Sequence, residues 1–463
     1  MVKRNRFVIL VNDRFIVCVM TASFAHVMIF LITGIGIIVL LTAVFRVHAF
    51  FALLIACFVV GLGVNMPVAT IITVTKQGFG NIMQSLAFVI VLGTTLGVVL
   101  EHTGSTRVMA AWILKRIGEK HAPLAMSITG FIVGLPIFCD SGYIVLSGLN
   151  KSLCKRTGIS VVIMSVSLAT GLYAVHCLIP PHPGAAAAAG TIGVDFGKLI
   201  VIGIAVAVPA MLTGYVWARY AGKKLISDIS HEAPVVNVTM AAPSVAGSFL
   251  PVAIPIILIG IKSFLSIEAS QAMPLYRQIL LIAGDPVIAL TIGIVLAFVA
   301  VRGWKKATVA KLLQEAAEKA GGILVIIGAG GAFGAVLAAT QVGEHVGKAF
   351  NLHALGIFFP FILTSILKTA QGSSTVAIIT AASIVQPLLP LLGLDSEIGK
   401  LLAVLSMGAG SMTLSHANDA YFWVIAKFSG IDMRSMLKVY TVASLLMGVV
   451  TLLVVYILSL ILL

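Results

Sequence analysis

The chain has 463 residues, of which 60% are hydrophobic and only 10% are charged, and its mean hydropathy is +1.13. Soluble proteins carry roughly a quarter charged residues, so this composition excludes a soluble enzyme and indicates a polytopic membrane protein whose partner is the lipid bilayer. The 30 Lys and Arg exceed the 16 Asp and Glu, for a net charge of +14, but they cluster at the ends of apolar segments and no nucleic-acid-binding motif accompanies them.

Residues 1–23 are predicted to form an N-terminal extension. The rest of the first half of the chain predicts several membrane spans, one hairpin and one broken helix. Apolar runs long enough to cross a bilayer occur at 24–45, 49–72 and 81–101. Basic residues flank the segment 122–149 on both sides, which places both of its ends in the cytoplasm and predicts a re-entrant hairpin. Glycine and proline at 134–142 mark its tip. A broken span at 160–197 and a span at 199–218 follow.

A polar linker at 223–247 separates this first transmembrane repeat, 24–222, from a second one, 248–463. The second repeat predicts the same kinds of element in the same order. They are spans at 248–267, 281–301 and 322–341, a hairpin at 354–390, a broken span at 399–430 and a final span at 436–463. Asp285 followed by proline predicts a helix start. By hydropathy the whole chain holds about 12–14 hydrophobic segments.

Two weak internal matches indicate that the chain is a duplication. The motif G-x-x-L-x-x-T occurs at 97–103 and again at 334–340, an offset of 237 residues. His182 matches His416 at the similar offset of 234 residues. Because two independent matches agree so closely, we expect the two histidines to occupy equivalent positions in the two repeats.

The distribution of basic residues predicts that the second repeat is inverted. Residues 104–121 hold four Lys or Arg and the equivalent 341–358 hold one, whereas 65–82 hold one and the equivalent 302–319 hold five. Under the positive-inside rule, corresponding loops then lie on opposite sides of the membrane. The predicted fold class is an all-α membrane protein with inverted-topology repeats of about five spans each, two re-entrant hairpins and two broken helices, an architecture typical of transporters.

The interruptions of the first repeat carry its candidate site residues, since ionisable groups inside a membrane are costly and usually functional. Asp140 and Ser141 lie on the hairpin tip, where Asp140 could orient substrate, carry a proton or cap a helix. His182 lies between prolines in the break at 179–184, and His176 lies six residues earlier. We expect His182 to bind substrate hydroxyls and either histidine to take part in proton coupling.

The second repeat carries a matching set of polar residues. Lys368 precedes a run of small residues at the second hairpin tip, Gly372, Ser373, Ser374 and Thr375. A buried cation beside hydroxyls and free backbone amides is suited to bind a carboxylate; the alternative is a lysine that reaches the lipid headgroups. In the broken span, His416 and Asn418 are candidates for substrate binding. Asp419 is a candidate for proton coupling and also suits a helix start.

At these residues the chain resembles the gluconate permease family, GntP, of the ion transporter superfamily. The motifs that carry the resemblance are P-P-H-P-G at 180–184, G-S-S-T-V-A at 372–377 and S-H-x-N-D at 415–419. The resemblance implies a multi-pass protein of the bacterial inner membrane that imports gluconate or a related hydroxy-acid by proton symport, and it makes a homodimer plausible. Lys368 stands where many members have arginine, so a related substrate such as glycerate, another sugar acid or a hydroxylated amino acid stays open.

Other functions fit the sequence less well. A membrane-embedded metallohydrolase would use the three histidines with Asp140 and Asp419, but no compact motif such as H-E-x-x-H supports it. A channel-like carrier or sodium coupling is a nearer alternative, because unwound backbone carbonyls suit a cation. We therefore expect a transporter of a small organic anion, with no catalytic residue, metal or cofactor.

Overall fold

The computed structural model describes residues 8–12, 15–19, 24–223, 243–265, 274–341 and 352–463. Of the predicted N-terminal extension it describes mainly two antiparallel strands, β1 (Val8–Asn12) and β2 (Phe15–Val19). The rest of that extension, and most of the predicted linker at 223–247, lie outside the described residues. From residue 24 onward, the regular structure that is described is helical.

The helices of the first half are α1 (Phe24–Val39), α2 (Ala49–Gly63), α3 (Val68–His102), α4 (Ser105–Ile117), α5 (Ala122–Gly134), α6 (Cys139–Thr157), α7 (Val161–Leu178), α8 (Pro183–Ile192) and α9 (Phe196–Gly222). A π-helical turn, Leu40–Val44, extends α1. The predicted hairpin is therefore α5–α6, which we call the first hairpin. The predicted broken span is α7–α8, which we call the first broken helix.

The helices described in the second half are α10 (Val245–Leu265), α11 (Leu275–Ala283), α12 (Pro286–Val299), α13 (Lys306–Ala339), α14 (Phe358–Gln371), α15 (Ser374–Val385), α16 (Glu397–Met412), α17 (Ala420–Ser429) and α18 (Met433–Leu462). A π-helical turn, Leu437–Thr441, lies within α18. Helices α14–α15 form the second hairpin, and α16–α17 form the second broken helix. The order of long helix, hairpin, broken helix and single helix thus occurs twice, while the inverted relation between the copies stays a prediction.

Among the described residues, seven helical segments are long and apolar enough to cross a membrane, and one of them is the first broken helix, α7–α8. The number is eight if α11 and α12, which meet at 75°, count as one span. The bend lies where a helix start was predicted, because the Asp285 side chain accepts a hydrogen bond from the Val287 amide (3.0 Å) and caps α12. The predicted span at 49–72 is wrong at its end: α2 stops at Gly63, and a new helix, α3, begins after Pro67.

The segment 104–121 was predicted to be a loop, and this is wrong for most of its length, while its cytoplasmic location stays a prediction. It folds as α4, which buries Met109, Ala110, Ile113 and Leu114. These residues occupy positions i, i+1, i+4 and i+5, so they form one apolar stripe of an amphipathic helix. The basic residues of its last turn, Lys115 and Arg116, are exposed on the opposite side of the helix. The sequence prediction counted these charges and overlooked the apolar stripe.

Small residues let the two longest helices, α3 and α13, pack closely. A Cβ added to Gly331 of α13 would lie 2.7 Å from the carbonyl oxygen of Gly78 in α3. On another face of α13, the carbonyl of Gly330 accepts a hydrogen bond from Ser383 Oγ (2.6 Å) in α15. Helix α13 therefore connects α3 to the second hairpin, and its residues Lys319, Ile323 and Ile326 line the cavity described next.

Candidate substrate site

Four helices begin at one cavity of about 490 Å³. They are α6 and α15, the second arms of the two hairpins, and α8 and α17, the second arms of the two broken helices. Each begins after an interruption that regular helix cannot cross, such as the proline-rich break before α8 or the left-handed Gly372 (φ +79°) before α15. The cavity lies where these four N-termini meet the side of α13.

Most residues predicted to form the site line this cavity. Both hairpin tips and the second broken helix contribute, as predicted from their polar interruptions. The predicted residues that line it are Asp140, Ser141, His176, Gly372, Ser373, Ser374, Thr375, Asn418 and Asp419. The structure therefore brings together residues that are up to 279 positions apart in the sequence (419 minus 140).

The helix N-termini contribute positive potential to the cavity. Each N-terminus presents backbone N–H groups without intrahelical partners and the positive end of the helix dipole. Ser373 Oγ accepts a hydrogen bond from the Val376 amide (3.3 Å), and Asp419 Oδ1 accepts one from the Tyr421 amide (3.0 Å). No side chain at the N-cap position of α6 or α8 makes such a bond. The amides that begin α6 are therefore available to an anion, whereas α8 begins with Pro183, which has no amide hydrogen.

Two candidate proton-coupling residues present buried polar atoms without partners. Asp140 Oδ1 and His176 Nδ1 are both buried, and neither has a hydrogen-bond partner in the described part of the chain. Leaving such groups unpaired costs about 1–3 kcal/mol each, so native proteins rarely keep them without a reason. Both residues line the cavity, so these two atoms are unsatisfied polar groups of its wall.

Lys368 forms a buried ion pair and does not line the cavity. Its side chain is 0% exposed, and Nζ lies 2.6 Å from Asp419 Oδ2 and 2.7 Å from the carbonyl oxygen of Gly372. Ser415 Oγ donates to the same Asp419 oxygen. This geometry does not support the predicted direct contact of Lys368 with the substrate carboxylate, and full burial also excludes the alternative of a headgroup contact. Lys368 instead joins the second hairpin tip to the start of α17.

Neither His182 nor His416 lines the cavity, contrary to the predicted substrate contacts. His182 is 2% exposed, and its Nε2 hydrogen-bonds to the carbonyl of Gly134 (2.6 Å) in the first hairpin. His416 is half-buried, and its carbonyl accepts from the Asp419 amide (2.8 Å). The positions of the helix starts favour a different equivalence from the expected one, which stays a prediction. His182 is the N-cap of α8 and Asp419 is the N-cap of α17, so helix starts correspond at 237 residues (419 minus 182), the offset of the repeated motif.

Comparisons with known proteins show the family of this chain. A protein-family model described as GntP family permease matches residues 26–461. The chain belongs to the GntP permease family. A gluconate permease of Pseudomonas aeruginosa is 34% identical over 446 residues, covering 93% of this chain and 97% of the relative. The inner membrane permease YgbN of Escherichia coli is 31% identical, covering 90% and 95%, and the D-serine transporter DsdX of the same species is 30% identical, covering 93% and 97%.

The fold also occurs in a solved transporter structure. MtrF from Neisseria gonorrhoeae, described as illuminating a class of antimetabolite efflux pumps, superposes with a TM-score of 0.56 over 84% of each chain. At 16% sequence identity this similarity concerns the fold alone. Family, relatives and membrane-spanning helices together identify this GntP permease as a multi-pass protein of the bacterial inner membrane and a secondary transporter of small organic substrates.

The sequence prediction missed several residues that line the cavity of this GntP permease. Tyr173 and Tyr421 stack with ring centroids 5.6 Å apart, but tyrosines within apolar helices give no local signal. Lys319 of α13, paired with Glu315 (2.7 Å), was interpreted only as one of the flanking charges. Gln371 directly precedes the run of small residues that was predicted as the second tip, so its position was a usable signal. Among the described residues, no group of three or more His, Cys, Asp or Glu is arranged to hold a metal ion.

Gly372→Ala is expected to disrupt the second hairpin tip of this permease. A Cβ at this left-handed residue would lie 2.1 Å from the carbonyl oxygen of Asn418, so the tip and the second broken helix would have to separate. Gly430→Ala is the matched control, because Gly430 has a similar φ of +73° but no atom within 4 Å of the added Cβ. The control should lose only about 1–2 kcal/mol from backbone strain. Uptake and thermal unfolding of both variants test this, and equal effects would contradict it.

Proposed function

We propose that this GntP permease imports gluconate or a related small hydroxycarboxylate, such as another sugar acid or glycerate, by proton symport. The observation that carries the proposal is the convergence of four helix N-termini on one cavity. Helix N-termini bind carboxylates through their free amides and dipoles. A volume of about 490 Å³ lies within the range of small-molecule sites.

The lining residues are suited to a substrate that is acidic at one end and polar along its length. The uncapped amides at the start of α6 would receive the carboxylate. The hydroxyls of Ser141, Ser374 and Thr375 would hydrogen-bond to the hydroxyl groups of the acid. Lys368 and Asp419 hold the second tip in place and neutralise each other, so in this proposal they contribute geometry and no net charge.

Charge balance supports proton coupling. Moving one anion into a negative interior costs about 2.3 kcal/mol per 100 mV, so uphill import needs accompanying positive charge. Asp140 is an acid at the α6 N-terminus, next to the proposed carboxylate position, and its Oδ1 has no hydrogen-bond partner among the described residues. A proton on Asp140 would remove the repulsion between two carboxylates, and His176 on the same cavity wall is the alternative carrier.

A hydroxylated amino acid is the second candidate substrate. The free carboxylate oxygen of Asp140 could pair with an ammonium group as readily as with a proton. One relative, DsdX, is named as a D-serine transporter. A zwitterionic substrate would place its carboxylate at the helix N-termini and its ammonium on Asp140, so the same site could serve both classes.

Uptake of labelled gluconate, glycerate and D-serine into proteoliposomes tests the proposal. We expect one of the two hydroxycarboxylates to accumulate only when an inward proton gradient is imposed. Accumulation that needs an inward sodium gradient instead would overturn proton coupling. Equilibration without accumulation would indicate a channel, and transport of D-serine alone would assign the second candidate.

A further inference from the structure

Gln371 is the last residue of α14, and its side chain is an unpaired hydrogen-bonding group at the cavity. Both side-chain atoms, Oε1 and Nε2, are buried and have no hydrogen-bond partner in the described structure. Gln371 also lines the cavity. A primary amide has an oxygen that accepts hydrogen bonds and a nitrogen with two donor hydrogens. Gln371 therefore places an unpaired acceptor and an unpaired donor side by side at the cavity.

The backbone that carries Gln371 is fixed on both sides. Lys368 Nζ donates to the carbonyl of Gly372 (2.7 Å), directly after it. Asn418 Nδ2 donates to the carbonyl of Thr369 (2.7 Å), two residues before it. These two side chains, from α14 and from the start of α17, hold the turn between the arms of the second hairpin. They therefore act as positioning residues for the amide of Gln371.

A hydroxyl group is the natural partner of such an amide, because it accepts a hydrogen bond and donates one at a single atom. We propose that Gln371 recognises one hydroxyl of the transported molecule and thereby selects hydroxylated substrates over their deoxy analogues. This inference rests on the proposed function and narrows it to a specificity determinant. A site whose buried polar groups hydrogen-bond to a substrate hydroxyl discriminates strongly against a ligand that lacks this hydroxyl, because the buried groups then stay unpaired.

The test measures kcat/KM of wild type and Gln371→Met for pairs of substrates that differ by one hydroxyl. The pairs are gluconate with its 2-, 3- and 4-deoxy analogues, and D-serine with D-alanine. We expect wild type to prefer the hydroxylated member of at least one pair by about 10- to 100-fold. Gln371→Met should lose that preference by slowing the hydroxylated substrate, while transport of the deoxy partner stays within about twofold of wild type.

Controls separate recognition from structural damage and from failure of the proposed function. Gln314→Met alters an exposed glutamine of α13, outside the cavity, and should leave every ratio unchanged. If Gln371→Met slows both members of each pair equally, the residue is structural and the inference is overturned. If wild type transports the acids or D-serine without discriminating any pair, only the inference fails. If wild type transports none of them, the proposed function fails and the inference fails with it.

Discussion

Lys368→Met is expected to abolish transport and to destabilise the protein. The change leaves the Asp419 carboxylate buried without its cation, and removal of one partner of a buried ion pair costs about 3–5 kcal/mol. The second hairpin tip also loses its tie to the start of α17, so we expect uptake to fall by about 100-fold or more. Uptake in proteoliposomes and thermal unfolding in detergent measure the two effects.

The double variant Lys368→Met with Asp419→Asn shows how Lys368 acts. The amide oxygen of asparagine can still accept from the Tyr421 amide, so the cap of α17 is kept while the uncompensated charge is removed. If Lys368 is a positioning residue, the double variant should regain both thermal stability and part of the uptake lost in the single variant. Regained stability with no regained uptake would instead favour direct contact between Lys368 and the substrate carboxylate.

Asp140→Asn is expected to separate substrate binding from energy coupling. Asparagine has nearly the same shape and stays neutral, so the cavity remains formed but can no longer gain and release a proton at this position. We expect gluconate exchange between the two sides of the membrane to persist, because exchange needs no net proton movement. Accumulation driven by an imposed proton gradient should be lost. Counterflow and gradient-driven uptake in the same vesicles measure the two activities.

Asp432→Asn is the matched control for this change. Asp432 also lies at a helix N-terminus, where its Oδ1 accepts from the Ser435 amide (3.0 Å), but it is outside the cavity. Burial is slight at Asp432, and its hydrogen bonds to Ser435 lower the pKa of this carboxyl, so it stays ionised at neutral pH and offers no proton to couple. The control should accumulate gluconate like wild type. Gradient-driven accumulation by Asp140→Asn at the wild-type level would assign coupling to another group, with His176 the next candidate.

The positions of the hairpins and broken helices followed from local sequence. Prolines at 180, 181 and 183 remove amide donors and block regular helix, and glycine at 372 permits a left-handed turn. Both signals act within a few residues, so they could be recognised without knowing the fold. The ends of α2 and α4 could not be predicted as well, because apolar content alone does not tell a short amphipathic helix from a loop or a full span.

The sequence by itself determined that this is a polytopic membrane transporter and predicted most of the polar interruptions that line the cavity. Tertiary structure decided what each polar residue does there. Lys368 is neutralised by Asp419, which lies 51 residues away in the sequence, and His182 bonds to a carbonyl 48 residues away. Gln371, with no partner among the described residues, is left facing the cavity. Residue type fixes which hydrogen bonds and charges a side chain can offer. Only the packing of distant helices decides whether the protein itself uses them or leaves them for a ligand.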